Sequence, residues 1–465
     1  MSGRAAAGLI AVLLLAACSQ STPAVPGGVR PGAYTGMIGK AAYQVDIPSH
    51  WNGTLLLYSH GYAAPGSGNP AADAGDDTTK GWLLGQGYAL AGSSYSSTGW
   101  ALEDAIKDQV ALLDTFGRKF GKPTRTIAWG HSLGGMITAG LIQLHPDRFA
   151  GALPMCGVLG GGIANWNGAL DIGFVAQVLL DPQLQVVRIS DPGANLDRAR
   201  AAVNAARADA PGRARLALVA ALGYLPGWFN PLQPEPAADD FAGQVANQAT
   251  WETLDFSYVF AYRAELEQRA GGNPSWNTGV DYRQAFAASP GRAETVALYQ
   301  QAGLDLAADL ERIQDSPRIS ADPAAAAYLD RNLTFDGVLK VPEVTLHTTG
   351  DGLVVAANEA AYADVVSSAA SSGQLRQLFV HRANHCIFTP AEQISAFQVL
   401  FDRLQTGTWD PTGSDVMNSR ATALGGQYNG GRLPGSAAPI SAPAQFVDYT
   451  PPPFPRQFDS RNKLP

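Results

Sequence analysis

Charge is scarce in this chain. Only 15% of its 465 residues are Asp, Glu, Lys or Arg, against roughly 25% in an average globular protein. The balance is mildly acidic, net −8, with no basic cluster, so nucleic acid is not an expected partner. Cysteine is scarcer still: three residues, Cys18, Cys156 and Cys386, too few for a disulfide-scaffolded fold. There is no CxxC, HExxH or EF-hand pattern, and no metal is expected. No GxGxxG follows a candidate strand, so no nucleotide cofactor is expected. Self-similarity at a period of 20–50 residues is missing, which excludes solenoids and propellers. No apolar run reaches the roughly 20 residues that a spanning helix needs. What the chain does hold is 46% hydrophobic residues, 51 Gly and 31 Pro. That is enough apolar material for a sizeable core and enough turn-formers for many loops.

The first 18 residues read as a targeting segment. Arg4 precedes an apolar stretch over residues 5–17, which ends in Leu15-Ala16-Ala17-Cys18. The stretch is too short to span a bilayer and fits a secretory signal. Its end resembles the lipobox of bacterial lipoproteins, which implies cleavage before Cys18 and a diacylglycerol on its thiol, anchoring the chain to a membrane. Residues 19–32 read as a flexible tether. The expected location is therefore outside the cytoplasm, as a cell-envelope lipoprotein or a secreted protein.

Strand and helix signals alternate through residues 33–156. Apolar or alternating runs at 41–47, 54–59, 88–94, 125–129 and 149–155 predict strands. The spacing over 100–120 and 133–144 predicts helices. Residues 61–77 form a Gly/Pro/Asp loop whose Asp73, Asp76 and Asp77 read as solvated. The pattern breaks over residues 157–339 and resumes with strands at 341–347 and 375–380 and helices at 356–370 and 390–404. This predicts an α/β fold, a mainly parallel sheet covered on both faces, with a large, mostly helical insertion. Residues 405–465 form a Pro/Gly-rich C-terminal arm. Its Phe446, Tyr449, Phe454 and Phe458 suit an arm pinned to the surface, and a disordered tail is the open alternative.

Four short motifs carry chemistry. Gly130-His131-Ser132-Leu133-Gly134 lies between a predicted strand and a predicted helix, where a tight turn presents Ser132 at the strand's end and the flanking glycines relieve crowding. Ser59-His60-Gly61-Tyr62 follows a buried strand. There the N–H of Tyr62, with Gly61 adjacent, joins that of Leu133 as a candidate oxyanion hole. Gly350-Asp351-Gly352 places a carboxylate after a strand, with Asp364 as rival. Asn384-His385-Cys386 places an imidazole after the next, with His381 as rival. Ser132, Asp351 and His385 are the expected nucleophile, acid and base.

With these motifs in this order, residues 33–156 and 340–404 resemble the α/β-hydrolase superfamily. The resemblance implies a cap over the active site, here 157–339. The cap's length is similar to that of tannase-like and feruloyl-esterase-like hydrolases. Tannase-like enzymes tie a Cys beside the catalytic Ser to one directly after the catalytic His. Cys386 occupies the second place, but His131 occupies the first. The resemblance therefore implies a disulfide with a changed partner, Cys156, against the alternative of two free buried thiols.

The implied reaction is acyl transfer through an acyl-enzyme. A small-molecule carboxylic ester is the expected substrate. An amidase acting on aromatic acyl amides is the alternative, and an inert binding lipoprotein is the second. Trp166, Trp228, Phe229, Trp251, Phe256 and Tyr258 in the insertion read either as an aryl pocket or, for most of them, as the insertion's own core. A monomer is the expected state.

Overall fold

The computed structural model describes residues 30–432 and 439–465. The targeting segment, Cys18 and nearly all of the tether lie outside them. Eight strands make the body of one sheet: β1 (Gly32–Ile38), β2 (Ala41–Ile47), β3 (Thr54–Ser59), β4 (Ala89–Ser93), β5 (Arg125–His131), β6 (Gly151–Met155), β7 (Glu343–Gly350) and β8 (Leu375–Ala383). Their order is β1-β2-β4-β3-β5-β6-β7-β8. β2 pairs antiparallel with β1 and β4, and β4 through β8 run parallel. β1 escaped the sequence reading because it is a half-exposed edge strand of mixed polarity, held by its antiparallel partner.

β3 shows why the sheet is covered twice. Side chains alternate across a strand. Leu55 and Leu57 join one apolar cluster with residues of the helices Leu102–Phe120, Leu133–Leu144 and Ala357–Ser368. Leu56 and Tyr58 join another with Leu83, Phe397 and Leu400, from the helices Asp77–Gly85 and Pro390–Thr406. Six fully buried residues in a row are what a central parallel strand requires.

The chain between Met155 and Glu343 forms helices joined by loops, with no strand among them. It has a core of its own, built around Phe174, Phe256, Phe260, Tyr282 and Tyr299. Its helices begin where the sequence supplies aspartate. Asp191, Asp209, Asp240, Asp281 and Asp305 each accept a backbone N–H of the first turn, satisfying donors that a helix start leaves free. The aspartate loop before the helix Asp77–Gly85 departs from expectation. Asp73 is 2% exposed and pairs with Lys80 at 2.8 Å, while Asp76 caps that helix.

The C-terminal arm is pinned. It forms a helix, Ser414–Ala423, and a two-residue strand, Phe446–Val447, that extends the sheet beside β8. Phe446, Phe454 and Phe458 are buried, and Tyr449 is exposed.

Candidate active site

β5 runs straight into the helix Leu133–Leu144 through Ser132 alone. Ser132 has φ 59° and ψ −126°, a backbone state that a non-glycine residue holds only under constraint. The constraint is contact. A Cβ at Gly130 or Gly134 would strike the Ser59 carbonyl, and one at Gly135 would lie 2.8 Å from the Gly157 Cα. Only glycine lets the turn close this tightly.

Ser132 Oγ lies 2.8 Å from His385 Nε2. His385 Nδ1 lies 2.6 Å from Asp351 Oδ2. Asp351 is 1% exposed, and its other oxygen accepts the Val354 N–H at 2.9 Å. β7 and β8 are parallel neighbours, so the loops that leave them emerge side by side. The His385 loop is tied to β7 by Asn384 N–H to the Gly350 carbonyl (2.9 Å) and by the Thr348 hydroxyl to the Asn384 carbonyl (2.8 Å). It is also tied by covalent bond: Cys156, just past β6, is joined to Cys386, with Cα atoms 5.4 Å apart. The two rivals lie elsewhere. Asp364 is exposed and paired with Arg461, and His381 is half-exposed beside Glu235.

The Gly61–Tyr62 peptide is held in one orientation. His60 Nδ1 lies 2.7 Å from the Gly61 carbonyl and Nε2 lies 3.1 Å from the Ser94 carbonyl. Burial pushes the imidazole down, so it is neutral with one N–H, and the shorter contact assigns that proton to Nδ1. In a trans peptide the N–H points opposite the carbonyl, which turns Tyr62 N–H away from His60. Gly61 itself packs on the serine: a Cβ there would lie 3.3 Å from Ser132 Cβ. Leu133 opens its helix, and its N–H is among those without an intrahelical acceptor. His131 points away from Ser132, between the Tyr58 hydroxyl and Gln393. Burial pushes it down to about 4, so it is a neutral support.

No local motif announced His347. It is fully buried beneath Asp351, with Nδ1 3.2 Å from Glu359 Oε1, Nε2 2.8 Å from the Val354 carbonyl and 3.6 Å from Asp351 Oδ2. Burial alone would lower its pKa. The hydrogen bond and charge of Glu359, with the charge of Asp351, outweigh burial and raise it. Both ring nitrogens face acceptors, which an imidazolium satisfies and a neutral imidazole does not.

Ser132 opens onto a cavity of about 110 Å³ roofed by the helical insertion. Of the six aromatics singled out in the insertion, Trp166 and Tyr258 line it. Phe256 belongs to the insertion's core, Trp251 packs with Leu225 and Phe229, and Trp228 packs against His381. Tyr62, Trp100 and Phe454 complete the aromatic wall. Phe454 arrives from 69 residues beyond His385, so no local pattern announces it.

A profile of the Prolyl oligopeptidase family matches residues 85–166, the stretch that carries Ser132. An o-phthalyl amidase of Xanthobacter agilis is 30% identical over 419 residues, covering 82% of this chain and 89% of its own. The chain belongs to that amidase's family, the serine hydrolases of α/β-hydrolase fold. Among solved structures, the hydrolase is similar to an esterase from Aspergillus oryzae (TM-score 0.42, 12% identity, 81% of this chain and 80% of the other). Feruloyl esterase B of the same organism is also similar (TM-score 0.39, 12% identity, 79% and 78%).

Proposed function

We propose that the hydrolase cleaves amides of aromatic carboxylic acids, with Ser132 as nucleophile, His385 as general base and acid, and Asp351 as the residue that orients and stabilises the imidazolium. The observation that carries the reading is the hydrogen-bonded line Asp351–His385–Ser132, at 2.6 and 2.8 Å, opening on an aromatic-walled cavity. The relative's action on o-phthalyl amides supports the choice of acyl group. Ser132 Oγ attacks the carbonyl carbon as His385 Nε2 takes its proton. The N–H groups of Leu133 and Tyr62, beside Gly61, receive the developing oxyanion. His385 returns the proton to the departing amine, leaving an acyl-enzyme, which water activated by His385 hydrolyses. Esters, the substrate class expected from the sequence, use the same groups and have the better leaving group, so aryl esters of the same acids are turned over as well.

The same reading places the mature chain outside the cytoplasm, anchored through a lipid on Cys18. A disulfide suits an oxidising compartment. Cys18→Ala tests the anchor: release of the protein from the membrane fraction is expected, and unchanged membrane retention would refute it.

The test of the activity is paired turnover of an aryl amide and an aryl ester, each carrying a benzoyl or an acetyl group, with Ser132→Ala beside it. Benzoyl amide turnover that falls by about 10⁴-fold or more in the variant is expected. Turnover of esters alone would return the enzyme to the esterases. No turnover and no labelling of Ser132 by a fluorophosphonate would leave an inert binding protein.

A further inference from the structure

One carboxyl in the cavity wall has no partner. Asp255 is the third residue from the end of the helix Phe241–Ser257, which runs into a single π-helical turn, Tyr258–Tyr262. It lines the cavity that holds Ser132 and is 6% exposed. Neither of its carboxyl oxygens has a hydrogen bond. A buried polar atom left unpaired costs stability and calls for an explanation. Among the described residues no Lys, Arg or His lines the cavity, and the other unpaired polar atoms of its wall, the Tyr62 hydroxyl and the Trp100 and Trp166 indole nitrogens, make no hydrogen bond to Asp255. The side-chain amide of Asn358 is already spent on the Gly160 N–H and the Val355 carbonyl. Glu252, one turn earlier, is equally unpartnered but lies outside this wall.

We propose that Asp255 is the residue that selects the acyl group, pairing with a carboxyl carried by the aromatic ring of the substrate, the two carboxyls sharing one proton. This rests on the reading of the enzyme as an aromatic-acyl hydrolase; the neighbouring carboxyl is the one that the o-phthalyl group of the amidase relative carries, and the new element is the residue that meets it.

The chemistry follows from the surroundings. Ionisation of Asp255 is opposed first by burial and then by the charge of Asp351. Glu252 on the same helix and Tyr258 on the following turn add no cation. The acid is therefore neutral, one O–H donor and one carbonyl acceptor side by side. That pair is the hydrogen-bonding complement of a second carboxyl. In a wall without a cation, a substrate carboxylate is tolerated only where a donor meets it, and the Asp255 proton is such a donor. The unpartnered, buried Tyr62 hydroxyl on the same wall is a second. The bound pair carries one negative charge and one shared proton. Binding therefore weakens as rising pH removes that proton.

The experiment uses the full mature chain and two amides of one aryl amine, benzoyl and 2-carboxybenzoyl, with Ser132→Ala as the blank for spontaneous hydrolysis. Wild type is expected to favour the carboxylated amide in kcat/KM by about tenfold or more, with a KM that rises with pH for that substrate and not for the benzoyl amide. Asp255→Asn, whose amide donates at every pH, is expected to keep the preference and flatten the KM profile. Asp255→Leu is expected to bring the ratio of the two substrates close to one. Its folding is not in doubt, because it replaces an unpaired buried acid by an apolar side chain, and its Tm should rise. Equal use of the two amides by wild type, or a preference that survives Asp255→Leu, overturns the proposal. If no amide or ester is hydrolysed, the failure belongs to the catalytic reading. Calorimetric binding of phthalate against benzoate to Ser132→Ala then decides: tighter phthalate binding, lost on adding Asp255→Leu, supports the assignment, and equal binding overturns it.

Discussion

His347 ties the acid of the site to the body of the sheet. As an imidazolium between Glu359 and the Val354 carbonyl, 3.6 Å from Asp351, it sets a fixed positive charge behind the carboxylate that His385 leans on. His347 holds Glu359 and the Val354 carbonyl at once, so its loss frees the turn that carries Asp351. His347→Gln is therefore expected to lower kcat/KM by about tenfold, less than Asp351→Ala, with the loss in kcat rather than KM. An unchanged kcat would show that His347 only fills space.

At the scale of elements, His385 is held by a loop whose backbone is strained at both neighbours: Asn384 has φ 78° and Cys386 φ 58°, and Cys156, its partner across the disulfide, has φ 43°. Such conformations persist where covalent bonds and hydrogen bonds over-determine them. The bond between Cys156 and Cys386 closes a loop of 230 residues that contains the whole helical insertion. In the loop-entropy account such a closure stabilises by about 5 kcal/mol. It also holds His385 directly, since the Cys386 sulfur lies 3.3 Å from the imidazole. Cys156→Ala with Cys386→Ala is expected to lower Tm and to reduce kcat more than it raises KM. A drop in Tm with unchanged kcat would mean that the loop holds its shape unaided.

For the molecule as a whole, two features cross between units far apart in sequence. The C-terminal arm straps the insertion to the core. Arg456 pairs with Asp171 at 2.5 Å and donates to the Trp276 carbonyl at 2.8 Å, Phe458 packs on Trp276, and Phe454 enters the cavity wall. Ending the chain after residue 449 removes one wall of the cavity and one buried ion pair. It should raise KM for aroyl substrates severalfold and make the insertion more sensitive to protease; unchanged KM would separate the arm from the site. The second feature is a set of buried acids. Glu294 is pushed up to about 7 and Glu343 to about 8, each chiefly by burial. Both are protonated in the native state where the unfolded chain is ionised. Between about pH 4.5 and these values the native state binds more protons, so stability falls as pH rises, by at most about 1.4 kcal/mol per pH unit for each group. Thermal unfolding is expected at lower temperature at pH 8 than at pH 5.5, with a shallower slope in Glu343→Gln. A Tm that climbs over that range would refute this account.

Much of the site was legible in the chain because its chemistry is local. A serine between glycines after a strand, and an acid and a histidine each just past a strand end, announce themselves in five residues or fewer, since a tight turn and a strand terminus are short-range demands on the backbone. Alternation of strands and helices likewise comes from periods of two and 3.6 residues, and it predicted the parallel sheet. Other features depend on contacts across long separations. Gly61 meets Ser132, Asn358 holds Gly160, Arg456 reaches Asp171 and Phe454 joins Trp166 in the cavity wall only because packing brings them together. Whether a tryptophan of the insertion lines the cavity or fills its core, and whether a lone aspartate such as Asp255 meets water, a cation or nothing, depends on which face of a helix turns inward. The class of fold, and the placing of Ser132, Asp351 and His385 at strand ends, were written in the chain itself, because both follow from short-range backbone geometry. Tertiary structure alone decided the shape and polarity of the cavity, because burial is a property of the assembled chain.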